Sequence, residues 1–138
     1  MKKVISTLLL SFLVSLAFAQ ESPVGIWKTI DDETGEAKSH VEIYEQNGKL
    51  FGKIVKLLRK PEDTVCEKCP GDKKGKKLIG MVILENMVKN GNEWEDGTIL
   101  KADNGKVYDC KLWVENGKLM VRGYIGFIYK TQVWERVK

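Results

Sequence analysis

The sequence has few of the residues on which common catalytic centres depend. It contains one histidine, His40, and it lacks both a G-x-S-x-G nucleophile elbow and an H-E-x-x-H zinc motif. Acidic side chains are present, and a converging pair could cleave glycosides, but most of them occupy predicted turns or outward-facing positions. We therefore expect no catalytic residue, no metal and no cofactor, and a small hydrolase is the minor alternative.

Long apolar runs are also scarce. The longest, from Val4 to Phe18, follows Lys2 and Lys3 and ends at Ala17-Phe18-Ala19, which is the pattern of a signal peptide over residues 1–19. It is shorter than the roughly 20 apolar residues of a membrane span, and no cysteine follows the cleavage point to accept a lipid anchor. The pattern predicts a periplasmic or secreted protein with one domain over residues 20–138 and no transmembrane segment in the mature chain.

An excess of one charge is absent from the chain as a whole. The formal net charge is +4, and loss of Lys2 and Lys3 with the signal peptide leaves +2, which is too mild to predict a nucleic-acid partner. Residues 59–77 alone carry a net charge of +3, from seven basic and four acidic side chains. The basic residues of this segment are Arg59, Lys60, Lys68, Lys73, Lys74, Lys76 and Lys77.

Turn signals divide the rest of the chain into short β-rich segments. Asn-Gly occurs at residues 47–48, 90–91, 104–105 and 116–117, and it favours hairpin turns that need positive φ at both central residues. The predicted strands lie near residues 24–31, 36–46, 49–58, 79–88, 93–102, 106–115, 118–125 and 127–137. Because almost every connection is short, the sequence predicts an all-β fold, an antiparallel up-and-down meander barrel of about eight strands.

Alternation along these strands predicts which side chains face inward. In the segment from 106 to 115, Tyr108, Cys110, Leu112 and Val114 share one face, whereas Trp113 lies with charged residues on the other. Cys110 is therefore expected to be a buried free thiol. Further inward sets are Val41 with Ile43, Leu50 with Ile54, and Leu119 with Val121.

The first and last strands carry a motif that closes barrels elsewhere. Gly25 and Trp27 begin the first strand, and Gln132, Trp134 and Arg136 share one face of the last. This arrangement resembles the lipocalin and fatty-acid-binding superfamily, in which an Arg from the last strand packs on the Trp of a Gly-x-Trp motif. A guanidinium over an indole gains a cation–π contact. The resemblance implies that these five residues close one end of a lipocalin-like barrel.

A second resemblance covers nearly all of residues 24–136. It is carried, in order, by "GIWKTID", "LFGKI", "CEKCPGDKKGKKLIGMVIL", "WEDGTI", "NGKVYDCKL", "LMVRGYIG" and "QVWER". The chain resembles the exported bacterial family called domain of unknown function family 2147. The resemblance implies a lipocalin-like barrel and brings no established activity or ligand.

Cys66 and Cys69 permit several interpretations. In an oxidising compartment a disulfide is the default. A redox pair would need a helix after the first thiol, where Pro70 and Gly71 stand instead. Zinc would need further ligands such as His40. The neighbouring lysines form a solvated loop or an electrostatic lip for anionic ligands.

These observations support two hypotheses of function. The first is a carrier that binds a small apolar or amphipathic ligand, or an envelope component, without catalysis, because about eight strands enclose room for one small ligand. The second is an envelope protein-interaction or assembly module that uses the cationic loop 59–77. The candidate ligand or anion contacts are Lys73, Lys74, Lys76, Lys77, Tyr108 and Tyr124.

Overall fold

The computed structural model describes residues 21–138 of the chain. The predicted signal peptide over residues 1–19 lies outside the described residues. Within residues 21–138, no helix has the length and apolar character needed to cross a membrane. The described part is almost entirely β-structure, with one short 3-10 helix at Gly71–Lys73.

Eight antiparallel strands form a closed barrel in which each strand pairs with the next along the chain and the last pairs with the first. This confirms the predicted eight-stranded meander. The strands are β1 (Gly25–Ile30), β2 (Ala37–Gln46), β3 (Lys49–Leu57), β4 (Val82–Asn90), β5 (Glu93–Lys101), β6 (Lys106–Glu115), β7 (Lys118–Ile125) and β8 (Ile128–Arg136). Closure gives every strand two neighbours, and the ladder between β1 and β8 is the shortest, with Trp27 paired to Arg136 and Lys28 to Glu135.

The Asn-Gly pairs do not all occupy the same place in their turns. At residues 47–48 and 116–117 both residues have positive φ, as a type I′ turn requires. Asn90 instead pairs with Glu93, so that Gly91 and Asn92 form the turn. The β5–β6 connection has four residues, 102–105, and only its last one, Gly105, has positive φ. The Asn-Gly pairs therefore predicted where the hairpins lie, but not the backbone conformation of each turn.

Strand β4 differs most from its predicted bounds. It begins at Val82, because Gly80 adopts a φ of +89° and turns the chain before the ladder starts. Bulges follow, with φ of +58° at Asn86 and +62° at Asp96 on the neighbouring strand. A Cβ on Gly97 would lie 2.3 Å from the carbonyl oxygen of Glu85, so only glycine permits the close approach of these two strands.

The inward faces of the strands form one hydrophobic core. Cys110 and Leu112 are buried, and Cys110 is a free cysteine, as the alternation predicted. Trp27 and Trp134 are the largest of the fully buried side chains. The other predicted inward pairs are buried as well, namely Val41 with Ile43, Leu50 with Ile54, and Leu119 with Val121.

The two ends of the barrel differ in their connections. We call the end that carries the two-residue turns 47–48, 91–92 and 116–117 the turn end. The opposite end, which we call the loop end, carries the connections 31–36, 58–81, 102–105 and 126–127. In order around the barrel, connections 58–81 and 126–127 lie on opposite sides of the loop end, with the other two between them.

Candidate functional site

Trp27 and Arg136 meet at the turn end. The guanidinium carbon of Arg136 lies 4.2 Å from the centroid of the buried Trp27 ring. Arg136 also donates hydrogen bonds to the carbonyl oxygens of Val24, at 3.3 Å, and Ser22, at 3.0 Å. A Cβ on Gly25 would lie 2.8 Å from Nη1 of Arg136, and Gly25 has a φ of +137°. The Gly-x-Trp spacing thus leaves room for the arginine.

Trp134 and Gln132 extend along the inner face of β8 toward the loop end. The indole of Trp134 donates to Oε1 of Gln132 at 3.2 Å, and Nε2 of Gln132 donates to Oδ2 of Asp32 at 2.9 Å. Both residues line the cavity described below. The structure therefore separates the five residues of the motif into a cluster at the turn end and a pair beside the cavity. Their joint role in closing the barrel stays a prediction.

A cavity of about 700 Å³ occupies the half of the barrel nearer the loop end. Its interior wall is largely apolar, and its mouth lies among the connections of the loop end. The principal apolar residues of the wall are Ile54, Leu57, Ile83, Ile99, Val121 and Trp134. The cavity therefore lies between Trp134 and the loop end, whereas Trp27 is fully buried nearer the turn end.

Few uncharged polar side chains line this wall. The hydroxyls of Thr29 and Ser39 lie 2.8 Å apart, and both residues are buried. The hydroxyl of Tyr108 accepts a hydrogen bond from Nδ2 of Asn104 at 3.1 Å, so its own proton is free to be donated. These groups could orient the polar part of a molecule bound in the cavity.

Charged residues of both signs surround the mouth. The cations are Lys38, Arg59, Lys60, Lys101 and Lys130, and the anions are Asp31, Asp32, Glu33 and Asp103. Arg59 pairs with Asp31 at 3.4 Å, Lys130 pairs with Asp32 at 3.2 Å, and Asp103 pairs with both Lys38 and Lys60. Partial burial alone would raise the pKa of Asp103, but the hydrogen bond and charge of Lys38 and the charge of Lys60 hold that pKa below its ordinary value.

The connection 58–81 packs beside the mouth and contains the predicted disulfide. Cys66 and Cys69 are bonded and buried, so no thiolate is present there to bind zinc. The amide of Cys66 donates to the carbonyl oxygen of Lys76 at 2.8 Å, which holds the lysine-rich segment against the disulfide. The following 3-10 helix has three residues, too short for the helix N-terminus that activates a redox thiol.

The structure separates the six predicted ligand contacts. Tyr108 lines the cavity, whereas Tyr124 faces outward with its ring centroid 5.7 Å from that of Tyr129. Lys73 donates to the carbonyl oxygen of Val82 at 2.9 Å and pairs with Glu85 at 3.5 Å. Lys74, Lys76 and Lys77 are exposed and do not line the cavity.

Sequence reasoning missed most of the charged groups at the mouth. Lys38, Lys101 and Lys130 lie on three different strands, β2, β5 and β8, at their loop ends, and they come to line one mouth only when the barrel closes. The predicted meander could have indicated these residues, because in a meander every second connection lies at the same end of the barrel. Among residues 21–138, no three His, Cys, Asp or Glu side chains are grouped so as to hold a metal ion.

Comparison with known proteins gives a family and a fold. The family model described as "Uncharacterized protein conserved in bacteria (DUF2147)" matches residues 25–136. Among solved structures, the protein HP1028 from the human pathogen Helicobacter pylori, described as belonging to the lipocalin family, matches with a TM-score of 0.75 and 21% identity, over 85% of this chain and 84% of that one. No curated protein matches. The likeness to HP1028 shows a lipocalin-like fold.

Proposed function

The chain belongs to DUF2147, a family of uncharacterized bacterial proteins, and we propose that it binds a small amphipathic molecule in its barrel without converting it. The observation that carries this proposal is the apolar cavity of about 700 Å³ that opens among charged residues. Small-molecule sites are usually concave, mostly apolar and of about 300–1,000 Å³. The cavity has the size and the lining of such a site.

The distribution of polar groups favours one orientation of the ligand. Burial of an apolar chain that reaches toward Trp134 would stabilise the complex by about 25 cal/mol for each Å² of apolar surface removed from water. Its head group would lie at the mouth, near Lys101. Within residues 21–138, Lys101 is the lining cation that forms no ion pair within 4.0 Å. An anionic or zwitterionic head group suits this position.

Export belongs to the same proposal. The Cys66–Cys69 disulfide supports it, because disulfides persist in oxidising compartments such as the bacterial periplasm. The predicted signal peptide over residues 1–19 supports it from the sequence. An exported carrier would take up amphipathic molecules in the cell envelope.

A fluorescence titration tests the carrier function. The probe is N-phenyl-1-naphthylamine, an apolar dye whose emission rises in apolar surroundings. Ile99 lines the cavity and is only partly buried, so Ile99→Trp fills the space that the dye would enter. Val133→Trp is the matched control, because Val133 lies on the outer face of β8 and is exposed.

We expect the wild-type protein and Val133→Trp to bind the dye equally, and Ile99→Trp to bind at least about tenfold more weakly, which corresponds to about 1.4 kcal/mol. Long-chain fatty acids and lysophospholipids should displace the dye from the wild-type protein. Equal dye binding by all three proteins would show that the cavity is not the binding site, and absence of binding by all three would refute the carrier function.

A further inference from the structure

The β7–β8 hairpin ends in an unusually exposed apolar cluster at the loop end. Ile125, Phe127 and Ile128, which we call the apolar tip, are 59%, 94% and 72% exposed. Ile125 pairs with Ile128, and Gly126, with a φ of +60°, makes the tight turn between them. Folding would permit polar residues here, because these side chains are hardly buried. Exposed apolar clusters of this kind mark surfaces that bind a partner.

The cationic loop 59–77 belongs to the connection that lies opposite the β7–β8 hairpin in the order of strands around the barrel. Lys74, Lys76 and Lys77 are exposed, and within residues 21–138 they form no ion pair within 4.0 Å. Lys101 and Lys106 pair with each other in the β-ladder and bring two further positive charges to the connection next to the tip. The loop end therefore combines protruding apolar side chains with a loop of net charge +3, in which four exposed acidic residues lie among the basic ones.

We propose that the loop end docks on an anionic lipid bilayer. The apolar tip enters the boundary between head groups and acyl chains, while the cationic loop and the Lys101–Lys106 pair contact lipid phosphates. This places the cavity mouth at the membrane surface, where an amphipathic molecule can pass between bilayer and barrel. Only that exchange step rests on the proposed carrier function; the docking itself does not.

Charge decides between the possible occupants of this surface. A second copy of the chain would bring two loops 59–77, each of net charge +3, to one interface, and like charges oppose that contact. An anionic bilayer attracts basic residues and also accepts apolar side chains. Because a few apolar residues or a few lysines alone give only weak membrane binding, the two groups are expected to act together and reversibly.

Vesicle flotation of the full protein tests the docking. The vesicles contain phosphatidylcholine alone or phosphatidylcholine mixed with phosphatidylglycerol. Phe127→Ser/Ile128→Ser removes most of the apolar tip, and Ile26→Ser/Val133→Ser is its control, because those two exposed apolar residues lie outside the tip. Lys74→Gln/Lys76→Gln/Lys77→Gln removes charge at the loop end, and Lys49→Gln/Lys118→Gln removes exposed charge next to the two-residue turns of the turn end.

We expect the wild-type protein to float with the anionic vesicles, less at high salt, and weakly with phosphatidylcholine alone. Each loop-end variant should lose at least about tenfold in vesicle affinity, and both controls should bind as wild type. The cavity variant Ile99→Trp should still float while binding the dye at least about tenfold more weakly, so failure of the carrier function and failure of docking give different results.

Three results would overturn the proposal. The first is wild-type flotation by the apolar-tip variant. The second is an absence of binding to either vesicle. The third is a concentration-dependent dimer, measured by analytical ultracentrifugation, that disappears in Phe127→Ser/Ile128→Ser, because the tip would then bind a second copy. Salt-sensitive capture of a purified envelope protein by the lysines, without vesicle binding, would assign the cationic loop to a protein partner instead.

Discussion

Arg136 ties the last strand to the chain segment that precedes the first. Its guanidinium lies 4.2 Å from the Trp27 ring centroid and donates to the carbonyl oxygens of Ser22 and Val24. The indole of Trp27 donates to the carbonyl oxygen of Pro23 at 2.8 Å. One cation–π contact and three hydrogen bonds thus fix the segment over the turn end, and they leave the cavity at the other end independent of this cluster.

Replacing Arg136 should therefore lower stability without affecting binding in the cavity. We expect Arg136→Ala to reduce the free energy of unfolding by about 1–2 kcal/mol, since it removes a cation–π contact and two hydrogen bonds at a partly exposed site. Arg136→Lys keeps the charge but not the planar group, so its free energy of unfolding should lie between those of the wild-type protein and Arg136→Ala. Urea denaturation measures the loss. Wild-type stability of Arg136→Ala would contradict a structural role for the contact.

Gly105 holds the β5–β6 connection against the disulfide loop. Its φ is +73°, and a Cβ at this position would lie 1.7 Å from the carbonyl oxygen of Lys68. Gly48 has a similar φ of +78° but nothing within 4 Å of its Cβ position. Substitution of Gly48 by alanine should introduce backbone strain alone, whereas substitution of Gly105 should also displace the backbone at Lys68.

We expect Gly48→Ala to cost about 1 kcal/mol of unfolding free energy from strain alone, and Gly105→Ala to cost more. Because the Lys68 backbone must move in Gly105→Ala, reduction of the Cys66–Cys69 disulfide by dithiothreitol should also be faster in that variant than in Gly48→Ala. Urea denaturation and timed thiol release give the two readouts. Equal values for both variants would show that the loop does not depend on Gly105.

The strand order and the core were predictable because their signals are local. Turns such as 47–48 and 116–117, and the alternation that buries Cys110, can be identified within about ten residues of sequence. The bulges at Asn86 and Asp96 were not predictable, since they arise from the close packing of β4 on β5 at Gly97. Local pattern determines the meander, and tertiary packing determines its irregularities.

The candidate site was harder to predict for the same reason. The lysines at 73–77 are conspicuous in sequence because they make up four of five successive residues, yet they lie outside the cavity. Lys38 and Lys130 are far apart in sequence and come to line the same mouth through closure of the barrel. Sequence therefore indicated the barrel and the positive charge of loop 59–77, and it missed most of the charged residues at the mouth of the cavity.

Cys110 should be unreactive in the folded protein. It is 3% exposed, and burial raises the pKa of its thiol from 9.0 to about 12. At a pH of about 8 the thiol is therefore almost wholly protonated in the native state, and the thiolate is the reactive form. With the disulfide intact, Ellman's reagent should label no thiol in the native protein and one thiol per molecule in guanidinium chloride. Rapid native labelling would contradict burial.

The pKa of His40 can be measured directly, because its imidazole signals are not overlapped by those of another histidine. It is the only histidine of the sequence and lies between Lys28 on β1 and Lys56 on β3. Partial burial, followed by the charges of Lys56 and Lys28, holds the pKa of His40 below its ordinary value of 6.5. The folded protein therefore takes up this proton at lower pH than the unfolded chain does.

The sign of the effect follows from this difference. Because the unfolded chain binds more protons just below pH 6.5, His40 makes stability fall as the pH drops through that window. Lys56→Gln should raise the pKa of His40 in a nuclear magnetic resonance titration, because it removes one repelling charge. Lys49→Gln, on the same strand but next to the turn at 47–48, should leave the pKa unchanged. If both variants titrate as wild type, the contribution of Lys56 is refuted, and burial together with the charge of Lys28 accounts for the lowered pKa.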